Sequence, residues 1–466
     1  MRQPVFLISW LAGVATAATL PPPACNTSFA QTEYGPVYTT NHTESGVTVY
    51  KGIPYAPPPV GDLRWKSPAP PTSWTVPVNA TEAKTHCYLF SAGIAIGAYS
   101  LPTVPSEDCL YLNIWTTAQS SDKPLPVMVY VHGGGFQTDS ATSTSYDGTF
   151  FAEQGVLLVK NNIAHFGGNP ENVTVFGESA GGHAIGILMT SPLASGLFDK
   201  AIMKSGTWWD TSHGTMSTFE EARTRGEEWG NMVAPNATLA ELRSLPAEKV
   251  VDTSQWNPLT DPAVTAFSPS IDNYVNLAAP ATVWGAGKQM KIPLMAGWVA
   301  REDTIFQSFA LPHTSASVFN AARDEYFTIG PLLRPSTYAY HFTYTSAFNP
   351  IAGHTTGLPF LFRTFSPETH VPGYNYSLTP SSEDIAFGKK LMTYWTNFAK
   401  SGDPNLPVVG LPHWPMLTPG DGASDNALLQ LGNMIEAAQN AALDRFHFIR
   451  SLRNDGVLPV TWRTYE

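Results

Sequence analysis

One serine of this chain lies between glycines, in the segment Gly177-Glu178-Ser179-Ala180-Gly181. The apolar residues 173–176 before it predict a strand, and residues 182–189 after it have a helical pattern. A tight turn between strand and helix exposes the serine hydroxyl at a helix N-terminus, where it can attack a carbonyl carbon. We therefore expect Ser179 to be the nucleophile of an acyl-transfer reaction. The alternative is a chance match in a glycine-rich chain, and the order of strand, turn and helix argues against it.

A second glycine-rich segment, His132-Gly133-Gly134-Gly135-Phe136, follows the apolar residues 126–131. Glycines let backbone N–H groups approach a negatively charged oxygen without obstruction by side chains. The N–H groups of Gly133, Gly134 and Ala180 are therefore expected to form an oxyanion hole. A phosphate-binding loop is the alternative, but no Gly-Lys-Ser/Thr follows these glycines.

The elements that position both motifs are predicted by their patterns. Short apolar runs are typical of a parallel sheet buried on both faces, and they lie at 126–131, 156–159, 173–176, 201–203 and 292–298. Helical patterns lie between them, as over residues 219–233, so the predicted fold class is α/β. Residues 35–40 and 46–53 look like antiparallel strands around a turn.

A long helix is predicted towards the C-terminus. Ser381 with Asp384 can cap its start, and Gly402 can end it. Its apolar positions lie on one face and are Ile385, Leu391, Met392, Trp395 and Phe398. Because no linker-like stretch divides the chain, we expect a single domain.

Composition limits the partners. The 466 residues carry a formal net charge of −11, which argues against nucleic acid and anionic membrane surfaces. The sequence has neither a His-Glu-x-x-His motif nor paired Cys-x-x-Cys motifs, so we expect no metal and no cofactor. It does not determine the oligomeric state.

The N-terminus predicts secretion. Arg2 precedes the mostly apolar residues 5–14, and Ala15-Thr16-Ala17 fits a cleavage site, so residues 1–17 are expected to be a signal peptide and residues 18–466 the domain. The apolar stretch is too short to cross about 30 Å of hydrocarbon, and no later segment reaches that length. Six Asn-x-Ser/Thr sequons favour a glycoprotein, at Asn26, Asn41, Asn79, Asn172, Asn236 and Asn375.

The chain has three cysteines, Cys25, Cys87 and Cys109. An oxidising compartment favours one disulfide and one odd thiol. Three unpaired buried thiols, the alternative, suit a secreted protein less well. Cys25 lies in a proline-rich segment and is the candidate for the free thiol.

The two glycine motifs, in this order, resemble the type-B carboxylesterase/lipase family, which includes the cholinesterases. YKGIPYAPPPVGDLRW (50–65) is similar to its N-terminal signature, and Glu178 is typical of its serine motif. EDCLYLNIW (107–115) is similar to its second signature, whose cysteine pairs with an upstream one, and this implies a Cys87–Cys109 disulfide. The resemblance covers nearly the whole chain. It implies the α/β-hydrolase fold, with helices flanking a mostly parallel central sheet, and hydrolysis of carboxylic esters.

The same resemblance implies the partners of Ser179, which are expected in the order acid, then histidine. AGWVAREDTIF (296–306) resembles the acid segment and places Glu302 at the acid position. Asp303, where the family usually has glycine, is the alternative. GHTTGLPFLF (353–362) resembles the histidine segment and places His354 at the base.

The sequence also departs from the family's pattern. Gly357 replaces a usual acidic residue, and Arg363 replaces a usual glycine. The connection between the strand segments 156–159 and 173–176 and the segment from Phe306 to Tyr338 are both shorter than in the family. Because the surrounding sequence matches well, this pattern indicates lost segments, as after an error in gene prediction.

The first shortening bears on the sheet. Only the thirteen residues 160–172 remain where the family has a strand end, a loop and a long helix. The family's strand order places residues 126–131 between the two joined strands, and thirteen residues can reach across. A short helix at Asn161 to Phe166 cannot cover the sheet as a longer one would, so we expect an exposed apolar face.

The sequence therefore predicts a secreted serine hydrolase that cleaves a small-molecule or lipid ester through an acyl-enzyme on Ser179. His354 is the expected base, and Glu302 orients it. The alternatives are a non-catalytic, cholinesterase-like binding or adhesion protein and a truncated product with impaired folding. All three triad residues are present, which favours the enzyme. The sequence does not determine which ester is cleaved.

Overall fold

The computed structural model describes residues 27–89, 101–117, 123–157, 162–206, 216–252, 268–302, 304, 336–365, 377, 379–417 and 427–439. Several predictions fall outside these residues. They concern the signal peptide, Cys25, the sequons at Asn26 and Asn375, the alternative acid Asp303, residues 158–161 at the first shortened connection and most of the second shortened segment.

The described strands are β1 Ser28–Gln31, β2 Pro36–Thr39, β3 Thr48–Pro54, β4 Val78–Asn79, β5 Tyr111–Thr116, β6 Leu125–Val131, β7 Gly168–Glu178, β8 Lys200–Lys204, β9 Leu294–Val299, β10 Thr337–Phe342, β11 Met416–Leu417, β12 Ala427–Leu431 and β13 Ile435–Gln439. The described α-helices are α1 Thr149–Glu153, α2 Ala180–Leu188, α3 Phe219–Val233, α4 Leu239–Ser244, α5 Ala247–Val250, α6 Pro280–Gly285, α7 Leu358–Phe362 and α8 Ser382–Ser401. Strands and helices alternate through the middle of the chain, as the sequence predicts for an α/β fold.

The central sheet has the order β13-β12-β10-β9-β8-β7-β6, with β11 beside β10. All strand pairs from β6 to β12 are parallel, and β11 and β13 pair antiparallel at the sheet's far end. On β6, Val127 pairs with Val173 on one side and with Leu157 on the other. The apolar segment 126–131 therefore lies between the segments at 156–159 and 173–176, which is the predicted order.

Both faces of this sheet are buried. Alternate residues of β8 belong to opposite cores: Ile202 packs with α7 and α8, whereas Ala201 and Met203 pack with α2 and the N-terminal strands. Because side chains of a strand alternate between faces, a strand covered on both sides is a continuous apolar run. This explains why the predicted strands of the sheet read as unbroken apolar segments.

The long C-terminal helix forms as predicted. Ser381 accepts a hydrogen bond from the N–H of Asp384, whose carboxylate in turn accepts one from the Ser381 N–H. Gly402 ends α8 in the left-handed conformation, with φ of 80°. The apolar face of the helix covers the sheet, and helix α3 has the predicted bounds.

The N-terminal strands pair differently from the prediction. The segments 35–40 and 46–53 contain β2 and β3, but the two strands lie in separate small sheets. Strand β2 pairs antiparallel with β1, and β3 pairs antiparallel with β5. Between the two segments, the bridge His42 to Thr48 and the hydrogen bond from the Val49 N–H to the Asn41 carbonyl close an antiparallel turn. The predicted antiparallel N-terminal strands are confirmed, but strands outside the two segments supply their ladders.

The described end of the short connection is a four-residue 3₁₀ helix, Ile163–Phe166. Its residues Ile163 and Phe166 are buried, and the Phe166 ring packs edge-on against Tyr50 of β3, with ring centroids 5.1 Å apart. Val127 and Val173 beneath them have no exposed surface. The expectation of an exposed apolar face is wrong for this part of the sheet, because the N-terminal strands supply the cover that the short helix lacks.

Candidate active site

Ser179 occupies the turn between β7 and α2. Its backbone angles are φ 56° and ψ −126°, a region that side-chain-bearing residues rarely adopt. Such strain costs about 1–3 kcal/mol and persists where the surrounding structure enforces it. Here the Ser179 N–H donates to the Lys204 carbonyl at 2.9 Å, and the His183 N–H donates to the Ser179 carbonyl at 3.0 Å. Ser179 is partly exposed while Glu178 and Ala180 are buried, so the turn presents the serine.

Glycines let the neighbouring chain approach this turn. A β-carbon at Gly181 would lie 2.0 Å from the Val131 carbonyl oxygen, and one at Gly206 would lie 2.1 Å from the Ser179 carbonyl oxygen. No residue with a side chain fits such distances. The end of β6 and Gly206, the second residue after β8, therefore pack closely against the turn.

The glycine loop after β6 lies against the nucleophile. A β-carbon at Gly133 would lie 3.1 Å from the Ser179 β-carbon. The Gly134 carbonyl accepts hydrogen bonds from the N–H groups of Gln137 and Thr138 at 3.0 and 2.9 Å, which fix the loop in a turn. Ala180 begins α2, so its N–H has no partner within the helix. The structure thus places Gly133 against Ser179, which Ala180 follows in the chain, and Gly134 is the next residue of the same loop.

Glu302 and His354 form a buried pair. His354 Nδ1 lies 2.6 Å from Glu302 Oε2, and the N–H of Val299 donates to Glu302 Oε1 at 3.0 Å. The backbone N–H of His354 donates to Thr304 Oγ1 at 3.0 Å. Both the carboxylate and the histidine backbone are therefore held by groups near the end of β9. The structure brings together the acid and base that the sequence predicts.

The second ring nitrogen of His354 faces Glu178. His354 Nε2 lies 3.3 Å from Glu178 Oε1, and it has no hydrogen-bond partner among the residues that the structure describes. Ser179 is the residue after Glu178 in the chain, but its hydroxyl is not hydrogen-bonded to the imidazole. Glu178 was noted in the sequence only as typical of the serine motif. Its contact with the histidine joins residues 176 positions apart and has no local signal.

Charge and burial set the protonation of this group. Burial alone would lower the pKa of His354, but the carboxylates of Glu178 and Glu302 raise it. Burial would raise the pKa of Glu302, yet the charge and hydrogen bond of His354 lower it. Burial raises the pKa of Glu178 against the opposing effect of His354 and Lys204. Glu302 is therefore the carboxylate that stays ionised and holds the imidazole.

The predicted disulfide is present. Cys87 and Cys109 are joined, with their Cα atoms 4.9 Å apart. Four sequons lie in the described residues. Asn79 and Asn236 are exposed, whereas the side-chain N–H groups of Asn41 and Asn172 donate to the carbonyls of Thr81 and Lys400.

Over the described ranges, no group of three or more His, Cys, Asp or Glu side chains is placed to hold a metal ion. None of the helices in that part of the chain combines the length and apolar character that crossing a membrane requires.

A strained serine at a strand–helix turn, a glycine loop and a carboxylate–imidazole pair on a mostly parallel sheet define an α/β-hydrolase. The carboxylesterase family profile matches residues 26–161, 156–329 and 325–448. The chain belongs to the carboxylesterase family and is a serine hydrolase of carboxylic esters.

Individual relatives agree with this assignment. Fumonisin B1 esterase of Sphingopyxis macrogoltabida is 28% identical over 465 residues, covering 80% of this chain and 84% of that protein. Liver carboxylesterase 1 of Oryctolagus cuniculus is 27% identical over 514 residues, covering 84% and 87%. The solved structure of a thermophilic PNB esterase superposes with a TM-score of 0.71 at 26% identity, covering 90% of this chain and 99% of that one.

Proposed function

We propose that this protein is a secreted esterase that cleaves carboxylic esters through an acyl-enzyme on Ser179, with His354 as general base and Glu302 as its orienting acid. The observation that carries the proposal is the buried hydrogen bond of 2.6 Å between Glu302 and His354 beside the strained serine turn. A carboxylate on Nδ1 fixes the tautomer that leaves Nε2 free to accept a proton.

The reaction follows from these positions. Ser179 Oγ attacks the ester carbonyl carbon, and its proton passes to His354 Nε2. The N–H groups of Gly133, Gly134 and Ala180 stabilise the oxyanion, each by about 3 kcal/mol. The intermediate collapses with cleavage of the ester C–O bond, and the alcohol leaves with the proton from His354. Water then attacks the acyl-enzyme by the same route and regenerates Ser179.

A non-catalytic binding protein is the second candidate. In such a protein, nothing requires a buried carboxylate to pair with a histidine or a serine to adopt a costly backbone conformation. Both features are present together here. They favour the enzyme.

Secretion is supported by the disulfide and by two accessible sequons. A disulfide is typical of an oxidising compartment. We expect glycans on Asn79 and Asn236 and none on Asn172, because its side-chain N–H donates to Lys400 at 3.2 Å. Glycopeptide mapping of protein secreted from a eukaryotic host tests this. Occupancy of Asn172, or protein retained in the cell without glycans, would contradict it.

We also propose that the segments around 159/160 and 306–338 have lost residues that the family has. The family profile matches in three pieces that meet at 156–161 and at 325–329. The alignment with the liver carboxylesterase extends over 514 residues, more than the 466 of the whole chain, so it contains gaps in this chain. Genomic DNA around codons 159 and 160 tests the proposal. An in-frame stretch between these two codons that encodes a strand, a loop and a helix would support the proposal. Codons 159 and 160 that directly follow one another in the genomic DNA would oppose it.

Hydrolysis of a short-chain p-nitrophenyl ester by purified protein tests the activity. We expect turnover that Ser179→Ala abolishes, and labelling of the wild-type chain on Ser179 by a fluorophosphonate. The Ser179→Ala variant must unfold at the wild-type temperature for the comparison to count. Hydrolysis that survives the substitution would exclude the acyl-enzyme on Ser179.

A further inference from the structure

Lys204 lies directly beneath the serine turn. It is the last residue of β8 and is only 4% exposed. In the sheet it pairs with Glu178 of β7 on one side and with Gly297 of β9 on the other. Its carbonyl accepts the N–H of Ser179. Lys204 therefore lies between Glu178 of the serine turn and strand β9, which leads to Glu302.

The side chain of Lys204 extends towards the histidine segment. A β-carbon on Gly357 would lie 3.1 Å from Lys204 Cε and 3.3 Å from Nζ. Gly357 follows His354 by three residues, at a position where the family usually has an acidic side chain. The glycine thus leaves room for the lysine, and one negative charge usual in the family is missing there.

The ammonium group has few ways to be stabilised. Among the described residues, Lys204 Nζ and Glu178 Oε1 both lack hydrogen bonds. The two side chains line one narrow cavity, whose other walls include the apolar residues Leu358, Leu361 and Trp395. A buried charge is tolerated only beside an opposite charge. Burial lowers the pKa of Lys204, and the carboxylates of Glu178 and Glu302 oppose this.

We propose that Lys204 is a positioning residue of the acid–base pair, whose buried ammonium offsets the carboxylates of Glu178 and Glu302 and so keeps the His354 imidazole in the neutral form that accepts the Ser179 proton. This inference rests on the proposed function. Two carboxylates beside one imidazole favour the imidazolium, which cannot act as a base. The positive charge of Lys204 beneath the serine turn opposes this effect of the carboxylates on the His354 imidazole.

The other groups around His354 act in the expected directions. Its pKa is lowered by burial, raised by Glu178 and Glu302 and lowered again by Lys204. The Tyr340 hydroxyl on β10 faces the same carboxylates, and burial together with their charge holds its pKa well above the ordinary value, so it stays neutral. Asp139, after the glycine loop, acts on Glu178 rather than on the imidazole. Among these described groups, Lys204 alone opposes the effect of the two carboxylates on the pKa of His354.

The test is the pH dependence of kcat/KM for p-nitrophenyl acetate in Lys204→Met and Lys204→Gln. Both substitutions remove the charge, but Met is apolar and Gln can still donate hydrogen bonds. We expect the acid limb of the profile to move to higher pH in both variants. Without the nearby positive charge, the His354 imidazole loses its proton only at a higher pH. A purely structural defect would lower the rate at all pH values and leave the limb in place.

Strand β8 offers a matched control. Lys200 stands at the other end of the strand, is 7% exposed and contacts Asn172 instead of the site. Lys200→Met removes another buried lysine of the same strand and is expected to leave the acid limb unmoved. Lys204→Met with an unmoved limb, or a limb that moves equally in Lys200→Met, would overturn the proposal. Failure of both Lys204 variants to fold while Lys200→Met folds would assign Lys204 a structural role and overturn it too.

Failure of the proposed function gives a different result. If hydrolysis survives Ser179→Ala, the acyl-enzyme is wrong. If hydrolysis depends on Ser179 and the limbs of the Lys204 variants coincide with the wild type, only the role of Lys204 is wrong.

Discussion

The serine turn joins neighbours in sequence, whereas the Glu302–His354 pair joins residues 52 positions apart. In the turn, strain is imposed on Ser179 by a strand end, a helix start and closely packed glycines. In the pair, two loops that follow β9 and β10 meet through side-chain hydrogen bonds. Backbone geometry therefore defines the serine turn, and charge defines the Glu302–His354 pair. They should therefore respond differently to substitution.

Among variants that keep the Ser179 nucleophile, the largest effect is expected from the Glu302–His354 pair. Glu302→Gln keeps the shape of the side chain but removes the charge that holds His354 in its reactive tautomer. We expect kcat to fall by about 10⁴-fold, as when the acid of a serine triad is made an amide. Steady-state kinetics with a p-nitrophenyl ester measure this. Asp303→Asn is the matched control, and a greater loss in that variant would move the acid by one residue.

The same contrast explains what the sequence could predict. The serine turn, the glycine loop and the strands before them have local patterns, so Ser179, Gly133 and Gly134 could be predicted from residue types and spacing. Glu302 and His354 have no local signal of that kind, and only the resemblance to a family indicated them. Elsewhere, the pattern of β3 predicted a strand but not its partner β5, because the ladder joins residues that are 57 to 68 positions apart.

The contact of Glu178 with His354 and the position of Lys204 were not predicted for the same reason. Both depend on the register of the parallel strands, which sets Glu178 beside Lys204. One sequence signal was available. Lys204 is a charged residue directly after the apolar residues 201–203, at the end of a buried strand, and such a residue requires a partner.

Relief of strain should separate the serine turn from its chemistry. Ser179→Ala and Ser179→Gly both remove the nucleophile, but only glycine adopts φ 56° and ψ −126° without cost. We expect Ser179→Gly to be more stable than Ser179→Ala by about 1 kcal/mol. Denaturant unfolding of both variants measures the difference. Equal stabilities would show that the turn is not strained in solution.

A second strained residue is not one of the proposed catalytic residues and sharpens the comparison. Arg363 ends α7 with φ of 57° and ψ of 29°, at a position where the family usually has glycine, and its guanidinium lies 3.9 Å from the centre of the Phe150 ring. Arg363→Gly and Arg363→Ala both lose this contact. We expect the glycine variant to be more stable by about 1 kcal/mol, with esterase activity retained in both. Loss of activity in Arg363→Gly would assign the residue a role in the site.

The smallest change in plateau rate, and the most specific, is expected where the two halves meet. Glu178 belongs to the serine turn by sequence but lies 3.3 Å from His354 Nε2. Its carboxylate raises the pKa of His354, so Glu178→Gln should lower that pKa. A base with a lower pKa is neutral at lower pH, and the acid limb of kcat/KM should therefore move to lower pH, opposite to the shift in Lys204→Met.

The pH profiles of the two single variants and of the double variant measure this. In the double variant both charges are gone, and the limb should return towards the wild-type position. Shifts in the same direction for both single variants would show that charge does not link the two halves, and the buried pair beneath the serine turn would then be packing alone.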